Sequence, residues 1–229
     1  MPEDSPTTFD FEPLAEDYDQ WYQTAEGTMY DRLEKRAVTR LLPRSGYGRR
    51  LLEVGCGTGH WTRLFSDKGF EVTGVDISPS MLGVSRKKEI GRASFGVADA
   101  HSLPFGDGQF EVSVAITTLE FVRDPGVVVG EMARCVRRPG GVVLVGVLNV
   151  WGRRNRRMKA TGEPPYGAAR LFSPREMKAM LTPYGRTKVA VAAFVANAAW
   201  LLPVAPLVDL LVRMFHLPYG AFVIGRVAL

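Results

Sequence analysis

The sequence is poor in cysteine and histidine. Cys56 and Cys135 are isolated from each other and form no Cys-x-x-Cys pair, and the three histidines are scattered along the chain. Two isolated thiols provide no disulfide framework, and the spacing matches no zinc-binding motif. We therefore expect a protein of a reducing compartment that holds no metal.

The sequence also lacks an apolar leader and a clear membrane span. Its first residues, MPEDSPTTFDFEP, are acidic, so we expect a cytoplasmic protein. Residues 189–208 carry no charge over nearly a bilayer's width, but Asn197, Pro203 and Pro206 interrupt the run. A strand followed by a buried helix explains this stretch better than a span. Peripheral membrane contact and a homodimer face remain open.

The sequence has no unusual excess of positive or negative charge for a globular protein. Charged residues make up 23% of the 229 positions, apolar residues make up 46%, and the formal net charge is +5. These values suit one large α/β domain with accessory segments. Basic residues cluster in GRRNRRMK at 152–159, which we interpret as a solvated loop. A track for nucleic-acid phosphates is the alternative.

Strand-like apolar runs alternate with helical patterns along the chain. The runs are RLLEV at 50–54, FEVTGVD at 70–76, ASFGVAD at 93–99, FEVSVAIT at 110–117, VVLVGVL at 142–148, TKVAVAAFV at 187–195 and GAFVIGRVAL at 220–229. Ser78 and Asp124 each precede a proline, which is typical of a helix start. Repeated βα units predict a doubly wound parallel sheet with helices on both faces.

The most informative stretch is LLEVGCGTGHWT at 51–62, which runs from the first strand into three glycines. A nicotinamide fingerprint, G-x-G-x-x-G, needs a third glycine at the position of His60. A P-loop needs a lysine that is absent here. Both kinds of phosphate-binding loop therefore fit poorly.

Acidic residues close the first three predicted strands. Glu53 precedes the loop, where a carboxylate suits an ammonium or a sulfonium better than a pyrophosphate. Asp76 lies where an acid can hold ribose hydroxyls, and Asp99 can accept from an adenine amino group. The carboxyl ends of parallel strands line one crevice, so the set predicts a cationic cofactor.

These ordered motifs resemble the class I S-adenosylmethionine-dependent methyltransferases, in particular the branch of quinone-biosynthesis and related small-molecule methyltransferases. LLEVGCGTG, GVDISPSML, ADAHSLPF and FEVSVAITTLEFVRDP match the family's first four motifs, and FEPLAEDYDQWY resembles its opening lid segment. The resemblance runs from about residue 9 to residue 147 and less clearly beyond. It implies methyl transfer, S-adenosyl-L-methionine as cofactor, and a Rossmann-like, seven-stranded, mostly parallel sheet whose last strand is antiparallel.

The same motifs divide the chain into four segments. We expect an N-terminal lid arm with a helix at 1–48 and a cofactor-binding core at 49–148. A variable basic lid loop would follow at 149–172, and 173–229 would complete the same α/β domain.

The resemblance implies a set of cofactor-binding residues. They are Tyr18, Glu53, Gly55, Cys56, Gly57, Gly59, Asp76, Ile77, Met81, Asp99, Ala100 and Thr117. The members in and before the loop would hold the methionine part, and the acids after the second and third strands would hold the ribose and the adenine edge. Thr117 would line the floor beside the sulfonium. Tyr18 would cover the cofactor, with Trp21 and Tyr22 as alternatives.

A general base is needed only if the accepting atom carries a proton. Glu120, three residues after the floor strand, and His101 are the candidates. A surface or capping carboxylate is the alternative for Glu120, and packing at the adenine rim is the alternative for His101. The fourth motif reads TTLE and lacks the Asn-Pro-Pro-Tyr signature, which disfavours methylation of a nucleobase amino group.

The variable segments are rich in aromatic residues. These are Trp151, Tyr166, Phe172, Trp200, Phe215 and Tyr219. They predict a small apolar or aromatic methyl acceptor, quinone-like or natural-product-like. Two alternatives stay open: a nucleic-acid methyltransferase that uses residues 153–159, and a non-catalytic regulator that binds the cofactor.

Overall fold

The computed structural model describes residues 5–43, 48–194 and 218–229. Strands in these ranges form one seven-stranded sheet. They are β1 (Arg50–Val54), β2 (Glu71–Asp76), β3 (Ala93–Val97), β4 (Val112–Ile116), β5 (Val142–Leu148), β6 (Arg186–Ala192) and β7 (Phe222–Ala228).

Helices flank this sheet. The α-helices of the described residues are α1 (Gln20–Gln23), α2 (Ala25–Leu41), α3 (His60–Asp67), α4 (Pro79–Lys87), α5 (Pro125–Cys135), α6 (Arg153–Thr161) and α7 (Pro174–Leu181). Two short 3-10 helices cover Glu12–Leu14 and Thr182–Tyr184.

The strand order is β3-β2-β1-β4-β5-β7-β6. Strands β1 to β5 run parallel, and β7 runs antiparallel between β5 and β6. Leu51 in β1 pairs with Val72 of β2 on one side and with Val112 of β4 on the other, so the order reverses here. The predicted fold is thus confirmed, and open α/β sheets bind ligands at such a reversal.

The central strands of the sheet are buried on both faces, which explains their unbroken apolar sequence. Every residue of β4 and β5 is buried. Met132 of α5 and Met177 of α7 pack in one core cluster, and Leu33 of α2 and Phe65 of α3 pack in another. Burial of each such side chain stabilises the fold by about 1.5–3 kcal/mol relative to its exposure.

Both predicted helix starts are present. The Ser78 hydroxyl accepts from the Met81 N–H at 3.1 Å, with Pro79 as the first residue of α4. The Asp124 carboxylate accepts from the N–H groups of Gly126 and Val127 at 2.9 and 3.1 Å. Each cap satisfies donors that have no partner within the helix.

The segment at 149–172 differs from the expected loop because it contains helix α6. Asn155 anchors this helix: its side-chain amide donates to the carbonyls of Asn149 and Ala221 at 3.0 and 2.7 Å. The spacing of apolar residues did not predict this helix, because it is fixed in place by the buried side-chain amide of Asn155. The four-segment division itself stays a prediction.

No helix among the described residues is long and apolar enough to cross a bilayer. Residues 189–192 of the charge-free stretch belong to β6. The helix predicted from about residue 206 to residue 216 lies outside the described residues.

Glu120 is a buried carboxyl that ties two elements together. It is fully buried, and its Oε1 accepts from the Leu148 N–H at the end of β5, at 2.6 Å. Its own carbonyl accepts from the Arg170 N–H at 2.8 Å. Burial raises the pKa of the Glu120 carboxyl to about 8, and the bond from Leu148 lowers it in part.

Glu120→Gln is expected to flatten the pH dependence of folding. Between the ordinary pKa of glutamate and about 8, folded Glu120 keeps a proton that the unfolded chain releases. Its contribution to stability therefore falls as the pH rises through this window, by at most about 1.4 kcal/mol per pH unit. Urea unfolding from pH 5 to pH 8 should show a smaller fall for Glu120→Gln than for the wild type.

The matched control is Glu163→Gln, because Glu163 is exposed. It should reproduce the wild-type profile. Equal pH slopes for Glu120→Gln and the wild type would contradict the assignment. Part of the slope should persist in Glu120→Gln, because burial also raises the pKa values of Glu34 and Glu53 to about 8.

Candidate functional site

A crevice opens at the carboxyl ends of β1, β2 and β4 and encloses about 850 Å³, its open mouth included. It brings together most of the residues that the sequence predicted for the cofactor. Those that line it are Tyr18, Gly55, Cys56, Gly57, Asp76, Ile77, Met81, Asp99, Ala100 and Thr117. The predicted convergence of strand ends on one space is therefore present.

The glycine loop turns sharply and exposes its backbone. Gly55, Gly57 and Gly59 have φ values of 70°, 51° and 79°, a region that favours glycine. A Cβ at Gly55 would lie 2.3 Å from Cγ2 of Thr118, whereas one at Gly57 would meet no atom within 4 Å. Gly55 therefore allows close packing, and Gly57 leaves room for a bound molecule to approach the backbone.

Asp76 is held at the end of β2 beside this loop. Its Oδ2 accepts from the Gly57 N–H at 2.7 Å, and its Oδ1 accepts from the Ser78 N–H at 3.0 Å. Burial raises the pKa of Asp76, while these backbone donors lower it in part. A carboxylate oxygen can accept more than one hydrogen bond, so Asp76 is fixed in place and retains capacity toward the crevice.

Asp99 and His101 form a small network at the crevice. Asp99 Oδ1 accepts from the His101 N–H at 2.9 Å and lies 2.8 Å from His101 Nδ1. The Asp124 N–H donates to Nε2 at 3.2 Å, which assigns the ring proton to Nδ1. Both ring nitrogens are thus engaged within the protein. A role for His101 as general base stays a prediction, and this geometry does not favour it.

Glu53, Gly59 and Glu120 do not line the crevice among the described residues. Glu53 is buried, and its Oε2 accepts from the Thr62 hydroxyl of α3 at 2.6 Å. A Cβ at Gly59 would face Ile90, and Glu120 is bound to Leu148. Because each position is turned toward a neighbouring element, direct contact of these residues with cofactor or acceptor stays a prediction.

Cys56 is a buried residue of the turn. A Cβ at Gly74 of β2 would lie 3.0 Å from its Sγ, so the loop packs closely on that strand. Burial raises the pKa of the Cys56 thiol, which opposes a reactive thiolate. The described residues contain no cluster of His, Cys, Asp and Glu suited to a metal ion.

An N-terminal arm, residues 5–23, covers the crevice. The Thr8 N–H donates to the Phe121 carbonyl at 2.7 Å, and the Thr58 hydroxyl donates to Asp19 Oδ1 at 2.7 Å. Asp19 also pairs with Lys88. The arm is thereby fastened to the residues after β4, to the glycine loop and to the end of α4.

Aromatic side chains that the sequence did not single out complete the crevice. Phe11 and Phe121 line it with ring centroids 4.9 Å apart, edge to face. Tyr22 stacks on His60 at 3.6 Å, and His60 Nε2 lies 2.7 Å from Asp31 Oδ1. Tyr22, named as an alternative to Tyr18, lines the crevice together with it. The aromatic residues of FDFEP and DYDQWY were the available signal.

An adjoining aromatic cavity of about 1140 Å³, its mouth included, lies beside the crevice. The two spaces share Phe11, Tyr18, Tyr22, Thr117 and Phe121. Other residues line the cavity but not the crevice, among them Tyr30 and Glu34 of α2, Arg154 of α6 and Tyr166.

Thr117 occupies the junction in an unusual backbone conformation. Its φ is 51°, in the left-handed region that non-glycine residues rarely adopt. Its N–H donates to the Gly146 carbonyl of β5 at 2.8 Å, which holds the turn in place. Such conformations cost about 1–3 kcal/mol and cluster at functional sites.

The predicted acceptor aromatics divide. Tyr166 lines the aromatic cavity, whereas Phe172 is buried in a core cluster of the sheet. Trp151 and Tyr219 are exposed, and their ring centroids lie 6.1 Å apart. Trp200 and Phe215 lie outside the described residues.

Comparison with known proteins agrees with the motifs. Residues 26–191 match the family model of a methyltransferase domain. Malonyl-acyl-carrier protein O-methyltransferase of Serratia marcescens is 32% identical over 101 residues, covering 44% of this chain and 39% of that protein. The 2-methyl-6-phytyl-1,4-hydroquinone methyltransferase of a Synechocystis species is 37% identical over 115 residues, covering 48% and 34%. The chain thus spans less than half the length of these two relatives.

A solved structure extends the likeness to the whole fold. An S-adenosylmethionine-dependent methyltransferase of Thermotoga maritima superposes with a TM-score of 0.72 at 24% identity, covering 95% of this chain and 97% of that one. These matches confirm the predicted family and do not single out the quinone branch. Because the family model covers well over half of its residues, the chain belongs to the methyltransferase-domain family and has the fold of the S-adenosylmethionine-dependent methyltransferases.

Proposed function

We propose that this chain transfers a methyl group from S-adenosyl-L-methionine to a small apolar or aromatic acceptor. The observation that carries the proposal is the meeting of two spaces with different linings: a crevice with an open glycine backbone and acids, and a cavity rich in aromatic rings. Thr117 and Tyr18 lie at their junction.

The crevice fits the cofactor by its donor set. Among the described residues that line it, no lysine or arginine supplies a countercharge for a pyrophosphate. Asp76 can accept from ribose hydroxyls, and Ile77 and Met81 offer apolar surface to a base. The open backbone at Gly57 suits the approach of the methionine part. Carboxylates without basic partners favour a cation over an anion.

When bound, the cofactor supplies a methyl group on a sulfonium, which is a good leaving group. The chain's own task is then to align and to exclude water. Thr117, held by Gly146, fixes the floor between the two spaces. The arm closes the crevice through Thr8 and Asp19.

The aromatic cavity and α6 support a small acceptor over a nucleic acid. Arg154 of the basic segment is only 12% exposed, pairs with Glu26 at 2.8 Å and lies over the ring of Tyr166. It therefore faces inward, although Arg153 and Arg156 remain exposed. The Synechocystis relative, by its name, methylates a hydroquinone, which agrees with an aromatic acceptor.

Asp76→Ala is expected to weaken the binding of S-adenosylhomocysteine, the demethylated product, by roughly tenfold to a hundredfold, the usual worth of hydrogen bonds to a charged group. Titration calorimetry measures the change. Asp67→Ala on the exposed side of α3 is the control and should bind as the wild type does. Unchanged affinity in a folded Asp76→Ala protein would contradict the cofactor assignment.

Gly57→Ala tests the open backbone of the loop. The added methyl would occupy empty space in the crevice, so S-adenosylhomocysteine should bind about tenfold or more weakly, a loss of about 1.4 kcal/mol or more. Gly69→Ala is the matched control, since Gly69 has a φ of 87° and equal room but lies outside the site. Both variants should lose about 1–2 kcal/mol of stability from left-handed strain. Equal affinities in the two variants would refute close approach at Gly57.

Methyl transfer itself is tested with a radioactive methyl donor. Purified protein, tritiated S-adenosylmethionine and a metabolite extract should give a labelled small molecule that the Asp76→Ala protein does not produce. Label found in RNA, with binding that falls steeply with salt, would favour a nucleic-acid substrate. No transfer despite tight cofactor binding would favour a non-catalytic regulator.

A further inference from the structure

One buried carboxyl faces the aromatic cavity without a partner. Glu34 of α2 is 8% exposed and lines the cavity together with Tyr30, one helical turn before it. In the described ranges of the chain, no hydrogen bond or ion pair engages its carboxyl group. A buried polar group normally has a partner, so this arrangement is suited to one supplied by a ligand.

The rings around Glu34 favour a flat aromatic molecule. Tyr18, Trp21, Tyr22, Phe121 and Tyr166 also line the cavity. Aromatic rings bury large apolar surfaces and favour edge or offset contacts with other rings.

Arg154, the cation of this cavity, is already engaged. Its Nε lies 2.8 Å from Glu26 Oε1, and its guanidinium lies over the rings of Trp21, Tyr30 and Tyr166 at 5.0–5.4 Å. Arg154 is therefore part of the cavity wall, and its positive charge disfavours a cationic ligand in the cavity.

Several charged and titratable groups surround Glu34. They are Asp31 and Lys35 on its own helix, Arg154 on α6, Glu120 after β4, Tyr22 on α1 and Tyr30 on α2. Burial raises the pKa of the Glu34 carboxyl to about 8, Asp31 adds to this and Arg154 opposes it.

This environment discriminates between kinds of acceptor. A carboxyl that is largely neutral near pH 7 is a poor countercharge for an ammonium. It is a stronger base than an ordinary carboxylate, which brings it nearer to a phenol, whose pKa is about 10, and it remains far too weak for an aliphatic alcohol.

We propose that Glu34 binds the hydroxyl of a phenolic acceptor and takes its proton. The inference rests on the proposed function and names the acceptor class, a hydroxylated aromatic molecule. In the transfer the phenol O–H bond breaks, and its proton passes to the Glu34 carboxylate. The oxygen pair forms the O–CH₃ bond, and the pair of the S–CH₃ bond stays on sulfur. The products are an aryl methyl ether and S-adenosylhomocysteine, and Glu34 returns its proton to water.

The test uses 2-naphthol and its matched probe 2-methoxynaphthalene, which has no hydroxyl proton, at pH 8 with protein in excess. The wild type should bind 2-naphthol at least about fivefold more tightly, since a hydrogen bond to a charged group contributes about 1.5–3 kcal/mol but competes with water. Bound 2-naphthol should also show naphtholate emission, because a carboxylate beside the hydroxyl accepts its proton in the excited state.

Glu34→Gln should abolish the naphtholate emission and weaken the preference for the hydroxyl, because a neutral amide oxygen still accepts a hydrogen bond but takes no proton. It should leave the affinity for 2-methoxynaphthalene within about twofold. Glu34→Asp keeps a shorter carboxylate and should restore part of the emission. Glu71→Gln, an exposed carboxyl at the start of β2 that does not line the cavity, is the matched control and should behave as the wild type does.

Outcomes for this residue and for the overall function are separable. Binding of S-adenosylhomocysteine by Glu34→Gln shows that the variant is folded and tests the cofactor site by itself. The proposal for Glu34 is overturned if the wild type binds neither probe, binds both equally, or if folded Glu34→Gln keeps the naphtholate emission and the full hydroxyl preference. If the wild type itself does not bind S-adenosylhomocysteine, the proposed function is overturned instead.

Discussion

The crevice depends on the packing of Gly55 against Thr118. The turn after β1 and the turn after β4 approach so closely that no side chain fits between them. The Thr118 hydroxyl donates to the Val54 carbonyl at 3.1 Å and so holds the two turns together. Since β1 and β4 are neighbours in the sheet, this contact fixes where both strand ends stop. The glycine backbone on one side and Thr117 on the other take their positions from it.

The arm over the crevice has little structure of its own. It contains a three-residue 3-10 helix and a four-residue α-helix, lengths that are not stable in isolation. Its order comes from polar links to the rest of the chain, such as Thr8 to Phe121 and Asp19 to Thr58. Packing of Phe11 on Phe121 and of Tyr22 on His60 adds to these links.

Much of the fold was predictable because it follows from local rules. Apolar runs, glycine turns and capping residues such as Ser78 are read within a few positions of sequence, and the structure agrees with them. Residues at strand ends, such as Asp76, were equally predictable, since parallel strands end at one edge. Motif position alone did not show that Glu53 would accept a hydrogen bond from Thr62.

The contacts that sequence did not predict are long-range. Glu34 lies on a helix far from the motifs, and its exposure to the aromatic cavity depends on how α2 packs beside the arm and α6. Likewise, Glu120 bonds to Leu148 across two strands. Burial and partner choice at such positions are decided by the assembled fold, and no local pattern encodes them.

The shared wall of the two spaces has a thermodynamic consequence. Phe11, Tyr18, Tyr22, Thr117 and Phe121 border both the crevice and the aromatic cavity. If a ligand in one space orders these side chains, a second ligand in the other space loses less conformational entropy when it binds. Linkage makes such an effect reciprocal: whatever factor the first ligand adds to the affinity of the second, the second adds to the first. Ligands proposed for the two spaces would therefore be coupled through this wall with no displacement of the sheet.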